Sequence, residues 1–455
     1  MLMCEFDWRS PLVAYAPLAG RDGAFLLHGG DAATQARWSF IAAAPQSTIV
    51  VRNSETFVDG AASALSPFQA LSAMHEERRR LAPRGSWPPL MSGMVGFCGY
   101  ECGRYCEPSA IGPPSPFGLP DFFFGAYDAI AAFDRQSRRA NVFGRSSAAI
   151  DELASLLGDE DLAPPLQAQI DRPLSNFSPD AYRAAVSNVI EKIRNGDLFQ
   201  ANISQRFTAQ AREPIGAFDF FRAAARDSSS AFGACFSFGG ADVISQSPER
   251  FFSVASDGER RLRIVAEPVK GTRARGKTVE DDERLLAELI ADPKDRAENI
   301  MIADLTRNDL SKICDDGTIC EEAICEAVTH ATVHHLVSRI SGRLRNDVNA
   351  ADALFALFPC GSITGAPKAE AMKAIAAVEQ TGRGPYCGAI GYIDDHGGAD
   401  FSVAIRLAMI EGRQLFVPAG GGITLRSDPA TEYEETLTKA RQFLRLIELG
   451  GREAP

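Results

Sequence analysis

The chain lacks the features of a membrane or nucleic-acid protein. No apolar stretch approaches the roughly 20 residues that span a bilayer. The N-terminus carries Glu5 and Asp7 and no basic segment leading into an apolar one, so no secretory signal is expected. Basic clusters are scarce: the one run, Arg78-Arg79-Arg80, follows Glu76-Glu77 and reads as a solvated helix end. With a formal net charge of -12, neither a nucleic-acid groove nor an anionic membrane surface is expected as a partner. The ten cysteines show no paired C-x-x-C spacing of a zinc site. Cys98, Cys102 and Cys106 would share one face if they lay on a helix. Reduced thiols in the cytoplasm are the default reading. There are no repeats and no low-complexity segments.

What is present is ordinary globular material. The 455 residues, 45% apolar and 23% charged, allow two or three domains or one large two-layered unit. Short apolar runs such as Ala24-Phe25-Leu26-Leu27, Ser47-Thr48-Ile49-Val50-Val51 and the segment 120–127 read as strands in an N-terminal region, 1–165. From Gly158 to Asn176 the sequence turns polar, with Pro164, Pro165 and Pro173, and reads as a linker. A second region, 175–450, opens with a helix capped by Ser178, with Pro179 in its first turn and Gly196 as its stop. Tyr182, Val186, Val189, Ile190 and Ile193 give that helix one buried face. Strands are expected to dominate from Phe199 to Ala266, a long helical region from Glu280 to Ile313, and a last helix opened by Asp428-Pro429. The class is α+β with two large β-sheets, the two regions forming one compact unit.

Lys270 lies in Pro268-Val269-Lys270-Gly271-Thr272, after the apolar run 262–266. The Pro and Gly are expected to end that strand and bring the backbone close to a ligand, which would hold one amine in a fixed place. Alone it would read as a loop cation. Downstream, Asp295 and Glu298 are three apart on a predicted helix, and Glu432 and Glu435 repeat the spacing in the last helix. Such acids also simply favour a helix start. Two pairs suit Mg²⁺, which takes hard oxygens and needs only one or two carboxylates; zinc would call for adjacent His or Cys. The stretch Gly361-Ser362-Ile363-Thr364-Gly365-Ala366-Pro367-Lys368 is not a P-loop, because Ala366-Pro367 intrudes and no Ser or Thr follows the Lys.

These segments, together with Gly196-Asp197-Leu198-Phe199-Gln200, Ser247-Pro248-Glu249-Arg250-Phe251, Asp304 to Asp309, His335 to Ser338, Val403 to Arg406 and Gly420-Gly421-Gly422, occur in order over residues 178 to 447. The sequence resembles the chorismate-utilising enzymes of the anthranilate synthase large-subunit superfamily. The resemblance implies an anthranilate synthase component I-like fold, two large sheets packed as a sandwich with helices around them. It implies that Glu298 and Glu435 are Mg²⁺ ligands, with Asp295 and Glu432 reaching the ion through water. The family usually has Glu where Asp295 stands, which implies a looser contact there. Arg406 and the Gly421 and Gly422 amides match positions that hold a chorismate carboxylate; Tyr386, Thr272, Thr364 and Gln200 match further substrate contacts. Glu249 matches a general acid/base and His335 a histidine near the ring. From the residues alone, Glu249 would be a surface acid paired with Arg250.

Two positions sort the family. Water-adding members carry Lys where this chain has Gln200, so the resemblance implies ammonia as nucleophile. Anthranilate synthases carry a small residue where this chain has Lys270, and that lysine is similar to the one in aminodeoxychorismate synthases. The implied activity is C4 amination of chorismate through a lysine adduct at C2. Ammonia would come from a separate glutamine amidotransferase subunit in a heterodimer, since no glutaminase signature is visible. An anthranilate synthase large subunit and a catalytically silent interaction subunit are the rival readings. Ala24 to Leu27 and Arg37-Trp38-Ser39-Phe40 resemble the frame of the family's tryptophan pocket, but its Leu-Leu-Glu-Ser run is absent, so the sequence leaves open whether the pocket persists and supports no claim of allostery.

Overall fold

A computed structural model describes residues 2–30, 37–81, 87–160, 162–163, 169–226, 230–257, 261–330 and 333–450. Two large antiparallel sheets form the skeleton, each of twelve strands among the described residues. The first runs from Leu2–Phe6 at one edge to Leu174–Ser175 near the other. The second runs from Val269–Ala274 to Ala61–Ser63. Each draws strands from both sequence regions. Phe25–His28 pairs with Phe232–Phe238 in the first sheet, and Gly93–Cys98 with Ala389–Asp394 in the second.

The sheets meet through aromatic rings. Phe238 of the first sheet has its ring 5.3 Å from Phe97 and 4.5 Å from Phe123 of the second, both edge-to-face. Phe40 meets Tyr392 in the same way at 5.7 Å. Such pairs add roughly 0.5–1.5 kcal/mol each beyond the area they bury. Strands covered on both faces need apolar residues at every position, not alternation. Hence Gly93–Cys98, Phe122–Tyr127 and Ala129–Asp134 are buried throughout.

Helices cover the outside and carry much of the chemistry. Ser178 accepts from the Ala181 N–H, Pro179 opens the helix Pro179–Arg194, and Gly196 follows its end at φ 84°. Tyr182, Val186, Val189 and Ile190 are buried along one face, and the Tyr182 hydroxyl donates to the Ile203 carbonyl at 2.9 Å. Its partner is the last helix, Pro429–Gly450, whose Tyr433 ring lies 5.9 Å from Tyr182. Among the described residues no helix is long and apolar enough to cross a membrane.

Several local expectations need correction. The helical region expected from Glu280 to Ile313 is present, as two helices, Val279–Ala291 and Pro293–Ser311, divided where Asp292 caps the second. A helix, Ala217–Arg226, interrupts the stretch read as strands; its Phe218, Phe220 and Phe221 are buried. Cys98, Cys102 and Cys106 share no helix face, because Cys98 ends a strand and Cys102 lies in a 3₁₀ turn. Arg78 is not solvated: it ends the helix Pro67–Arg78 and pairs with Asp395 and Asp128 at 3.0 Å each. The linker stretch is partly structured, since Leu174–Ser175 adds to the first sheet and Ile170 bridges to Ala211. Pro164 and Pro165 lie outside the described residues.

Candidate functional site

Three glycines make the floor. Gly420, Gly421 and Gly422 belong to the strand Gln414–Ile423, which pairs with Gln200–Gln210. A methyl on Gly422 would stand 2.7 Å from Gln200 Nε2 and 3.4 Å from Lys270 Nζ. A methyl on Gly421 would stand 2.9 Å from Glu432 Oε2 and 3.7 Å from Glu435 Oε1. Bare backbone therefore lets an amide, an amine and two carboxylates come together over one strand, with room for a ligand to approach.

Lys270 reaches this floor from the second sheet. It does not sit in a turn after a strand, as its sequence context suggests, but inside the strand Val269–Ala274. Pairing with Val333–Arg343 slips by one residue between Lys270 and Thr272, where Gly271 takes φ 80°. Such a bulge re-aims the side chains beside it. The Lys270 amine donates to the Ser362 carbonyl at 2.7 Å. Burial lowers its pKa, against the opposing pull of Glu298 and Glu249.

Ser362 holds a second group. Its hydroxyl donates to Glu249 Oε1 at 2.7 Å. Burial raises the Glu249 pKa, while Ser362 and Lys270 work against that rise. Glu249 is thus not a surface acid paired with its neighbour: Arg250 turns to Asp400 at 2.9 Å and Glu267 at 2.8 Å. Ser362 went unnoticed in the sequence because its carbonyl and hydroxyl gain roles only once two sheets converge. Its motif also carries Thr364, and its Lys368 is buried against Asp309 at 2.9 Å.

Other expected residues cluster around this pair. Gln200 is fully buried with neither side-chain oxygen nor nitrogen bonded, and Thr364 Oγ1 is equally unpartnered. Leaving such groups unpaired costs about 1–3 kcal/mol each. A polar ligand would offset that. His335 Nδ1 lies 2.9 Å from Thr272 Oγ1. Burial, then the neighbouring His330 and Arg406, lower the His335 pKa to about 4, which leaves the ring neutral at pH 7. Arg406, at φ 50°, donates to the Lys439 carbonyl at 3.0 Å. Burial lowers its pKa, while Tyr386 and Glu435 are near enough to oppose that. Tyr386 itself is buried.

The four acids come from two helices. Asp295 and Glu298 lie on Pro293–Ser311, Glu432 and Glu435 on Pro429–Gly450. Glu298 Oε1 is buried without a hydrogen bond, and burial raises the Glu298 and Glu432 pKa values. Lys294 stands between them, 3.9 Å from Glu298 and 3.7 Å from Glu432. Burial presses on Glu435 as well, but Lys439 at 2.6 Å outweighs it and the pKa falls. Asp295 is held by Arg273 at 3.0 Å. Among the described residues no three such side chains form a closed metal cage. Mg²⁺ needs only one or two carboxylates, completing its octahedron with water and substrate. The Glu298 oxygen, buried without a hydrogen bond, and the all-oxygen donor set fit that ion.

The family of chorismate binding enzymes matches residues 23–445. The chain belongs to that family. Anthranilate synthase component 1 of Cereibacter sphaeroides is 35% identical over 405 residues, 85% of this chain and 79% of its own length. Aminodeoxychorismate synthase component 1 of Klebsiella aerogenes is 33% identical over 459 residues, 98% and 99% of the two chains. Among solved structures, anthranilate synthase component I of Streptococcus pneumoniae aligns over 96% of this chain and 98% of that one, at TM-score 0.77 and 30% identity. The menaquinone-specific isochorismate synthase of Escherichia coli, at 18% identity, covers 98% of this chain and 94% of its own with TM-score 0.74, and shares the fold. In this chorismate binding enzyme Leu27, Arg37, Trp38 and Phe40 line a separate cavity of about 660 Å³ between the sheets, to which none of the site residues above contributes.

Proposed function

We propose that this chorismate binding enzyme aminates chorismate at C4 with ammonia, giving 4-amino-4-deoxychorismate. The observation that carries the reading is the Lys270 amine, buried beside Gln200, Gly422 and Glu249 with its protonated form disfavoured. A neutral lysine can attack ring C2 while the double bonds shift and the C4 hydroxyl departs. Glu249, its protonated form favoured by burial, would give that hydroxyl its proton and leave water. Ammonia then bonds to C4, the double bonds shift back, and the C2–N bond breaks to release Lys270. While C2 is occupied, amination ortho to the carboxylate is blocked. Gln200 suits the ammonia, because its amide oxygen can accept an N–H and its nitrogen can donate. Arg406, Tyr386 and the Gly421 and Gly422 amides would take a carboxylate of the substrate. Thr272, Thr364 and the neutral His335 would line the rest of the ring.

Glu298 and Glu435 would hold Mg²⁺, with Asp295 and Glu432 reaching it through water, and the ion would withdraw charge from the ring carboxylate and orient it. Ammonia would be delivered by a separate glutamine amidotransferase subunit, in the cytoplasm.

A second reading is anthranilate synthase, favoured by the relatives of that name at 35% and 32% identity. One assay separates the two. The chain is incubated with chorismate, Mg²⁺ and ammonium at alkaline pH, and the amino product is identified by chromatography. Aminodeoxychorismate supports the proposal. Anthranilate as the sole product overturns it.

A further inference from the structure

Tyr386 follows a turn that is gripped from two directions. From one side, Glu379 at the end of the helix Lys368–Glu379 holds the Arg383 guanidinium at 2.6 and 2.9 Å. Arg383 also donates to the Asn202 carbonyl at 2.6 Å, which ties it to the strand beside the three glycines. From the other side comes Glu101, in the 3₁₀ turn Tyr100–Cys102 of the N-terminal region. Its two carboxylate oxygens accept from the Arg383 N–H at 2.6 Å and the Gly384 N–H at 2.9 Å. The neighbouring Tyr100 N–H donates back to the Gly384 carbonyl at 2.8 Å.

Two successive peptide N–H groups aimed at one acceptor form an anion nest. Here the anion is a side chain supplied from almost three hundred residues away in sequence, and it is buried. Burial, helped by the nearby Asp121, pushes its pKa up to about 7 even though the Arg383 and Gly384 N–H groups resist the rise. What this carboxylate holds is the Arg383–Gly384 turn. The turn has little other freedom. A methyl on Gly382 would stand 2.4 Å from the Pro114 carbonyl, and one on Gly384 would stand 2.6 Å from the Phe117 ring. The segment after Glu101 therefore walls the turn, and Glu101 supplies its polar anchor. Two residues beyond Gly384 the chain presents Tyr386, close enough to Arg406 to act on its charge.

We propose that Glu101 is a positioning residue for substrate: by holding the Arg383 and Gly384 amides it fixes Tyr386 beside Arg406. The inference rests on Tyr386 being a substrate contact, as proposed above. Glu101 acts through that side chain and touches no reacting atom. Glutamine in its place can accept from one amide but turns an NH₂ toward the other, so the turn is held at one point instead of two.

The test is steady-state kinetics of the full chain with chorismate, ammonium and Mg²⁺, on Glu101→Gln, Tyr386→Ala and the double variant, each first checked by thermal melting. Glu101→Gln is expected to raise the chorismate KM about tenfold, equivalent to about 1.4 kcal/mol. The kcat and the ammonium KM should stay within about threefold of wild type, since the chemistry is untouched. In the Tyr386→Ala background the same change should move the chorismate KM by less than about twofold, because its route of action is gone. Should Glu101→Gln fail to fold, Glu101→Asp keeps the charge and withdraws it by one methylene, and the same dependence on Tyr386 is expected. An unchanged chorismate KM, or an equal rise with and without Tyr386, overturns the inference. If Tyr386→Ala alone leaves the chorismate KM unchanged, the substrate role of Tyr386 fails first, and the role of Glu101 with it.

Discussion

Lys270 and Glu249 are joined through the two ends of one residue: Ser362 accepts the lysine proton on its carbonyl and donates its hydroxyl to the carboxylate. The amine and the acid are therefore set against each other by the carbonyl and the short hydroxyl of a single residue, not by a long side chain free to wander. This geometry gives the proposed chemistry its order, with the nucleophile and the proton donor fixed before any substrate arrives.

Lys270→Ala is expected to lose most C4 amination, as no amine remains to attack C2. Direct attack of ammonia at C2 then becomes open, so a trace of 2-amino product or anthranilate is expected. Lys270→Arg should not rescue, because a guanidinium stays protonated. Product chromatography and kcat report both. Aminodeoxychorismate formed by Lys270→Ala at an undiminished rate would reduce Lys270 to an electrostatic neighbour of the substrate.

For the metal, Glu298→Gln and Glu435→Gln each remove one charge while keeping shape. Activity is expected to fall by about 10²-fold at limiting Mg²⁺, the upper end of the loss that follows removal of even an outer partner of a bound metal. Melting temperature should change little. The check is a Mg²⁺ titration of rate beside a thermal melt, and near-normal turnover in both variants would remove the assignment.

Gly422→Ala probes the floor of the site. The added methyl would lie 2.7 Å from the Gln200 amide nitrogen and 3.4 Å from the Lys270 amine. Gln200 must shift to admit it. Turnover should drop by roughly 10²-fold, the cost typical of an ångström-scale misplacement at a reacting centre. Circular dichroism should be unchanged, and full activity in this variant would place the substrate elsewhere.

His335 gives a prediction in pH. Its folded pKa, about 4, lies below the ordinary 6.5. The stability it lends is therefore present above pH 6.5 and is lost as pH falls through 4, where folding must give up the proton that the unfolded chain would bind. The wild type should lose more melting temperature than His335→Asn between pH 7 and pH 4. Parallel losses in the two proteins would show that the ring is not held neutral.

Many of the residues that the fold brings together at the candidate site are legible in the sequence because they lie in local motifs. Lys270, Glu298, Arg406 and the three glycines each sit in a short segment whose residue types fit one task. The caps at Ser178 and Asp428-Pro429 were equally local. What escaped was non-local. The slip that aims Lys270 depends on how Val269–Ala274 pairs with Val333–Arg343. Ser362 and Glu101 depend on contacts between segments distant in sequence. The helix Ala217–Arg226 was missed because a phenylalanine-rich run suits a buried strand and a buried helix alike.

The interleaving of early and late strands also bears on how the chain is made. Cys98 pairs across to Ala389, and Phe25 to Phe236. At roughly 5–20 residues per second, a ribosome delivers the second partner only tens of seconds after the first. During that interval Gly93–Cys98 and Phe25–His28 can pair with the early strands Phe122–Tyr127 and Trp38–Ala42, but the opposite edge of each stays open. The newborn N-terminal half can thus complete neither sheet, and each keeps an unpaired strand edge until the second half has been made.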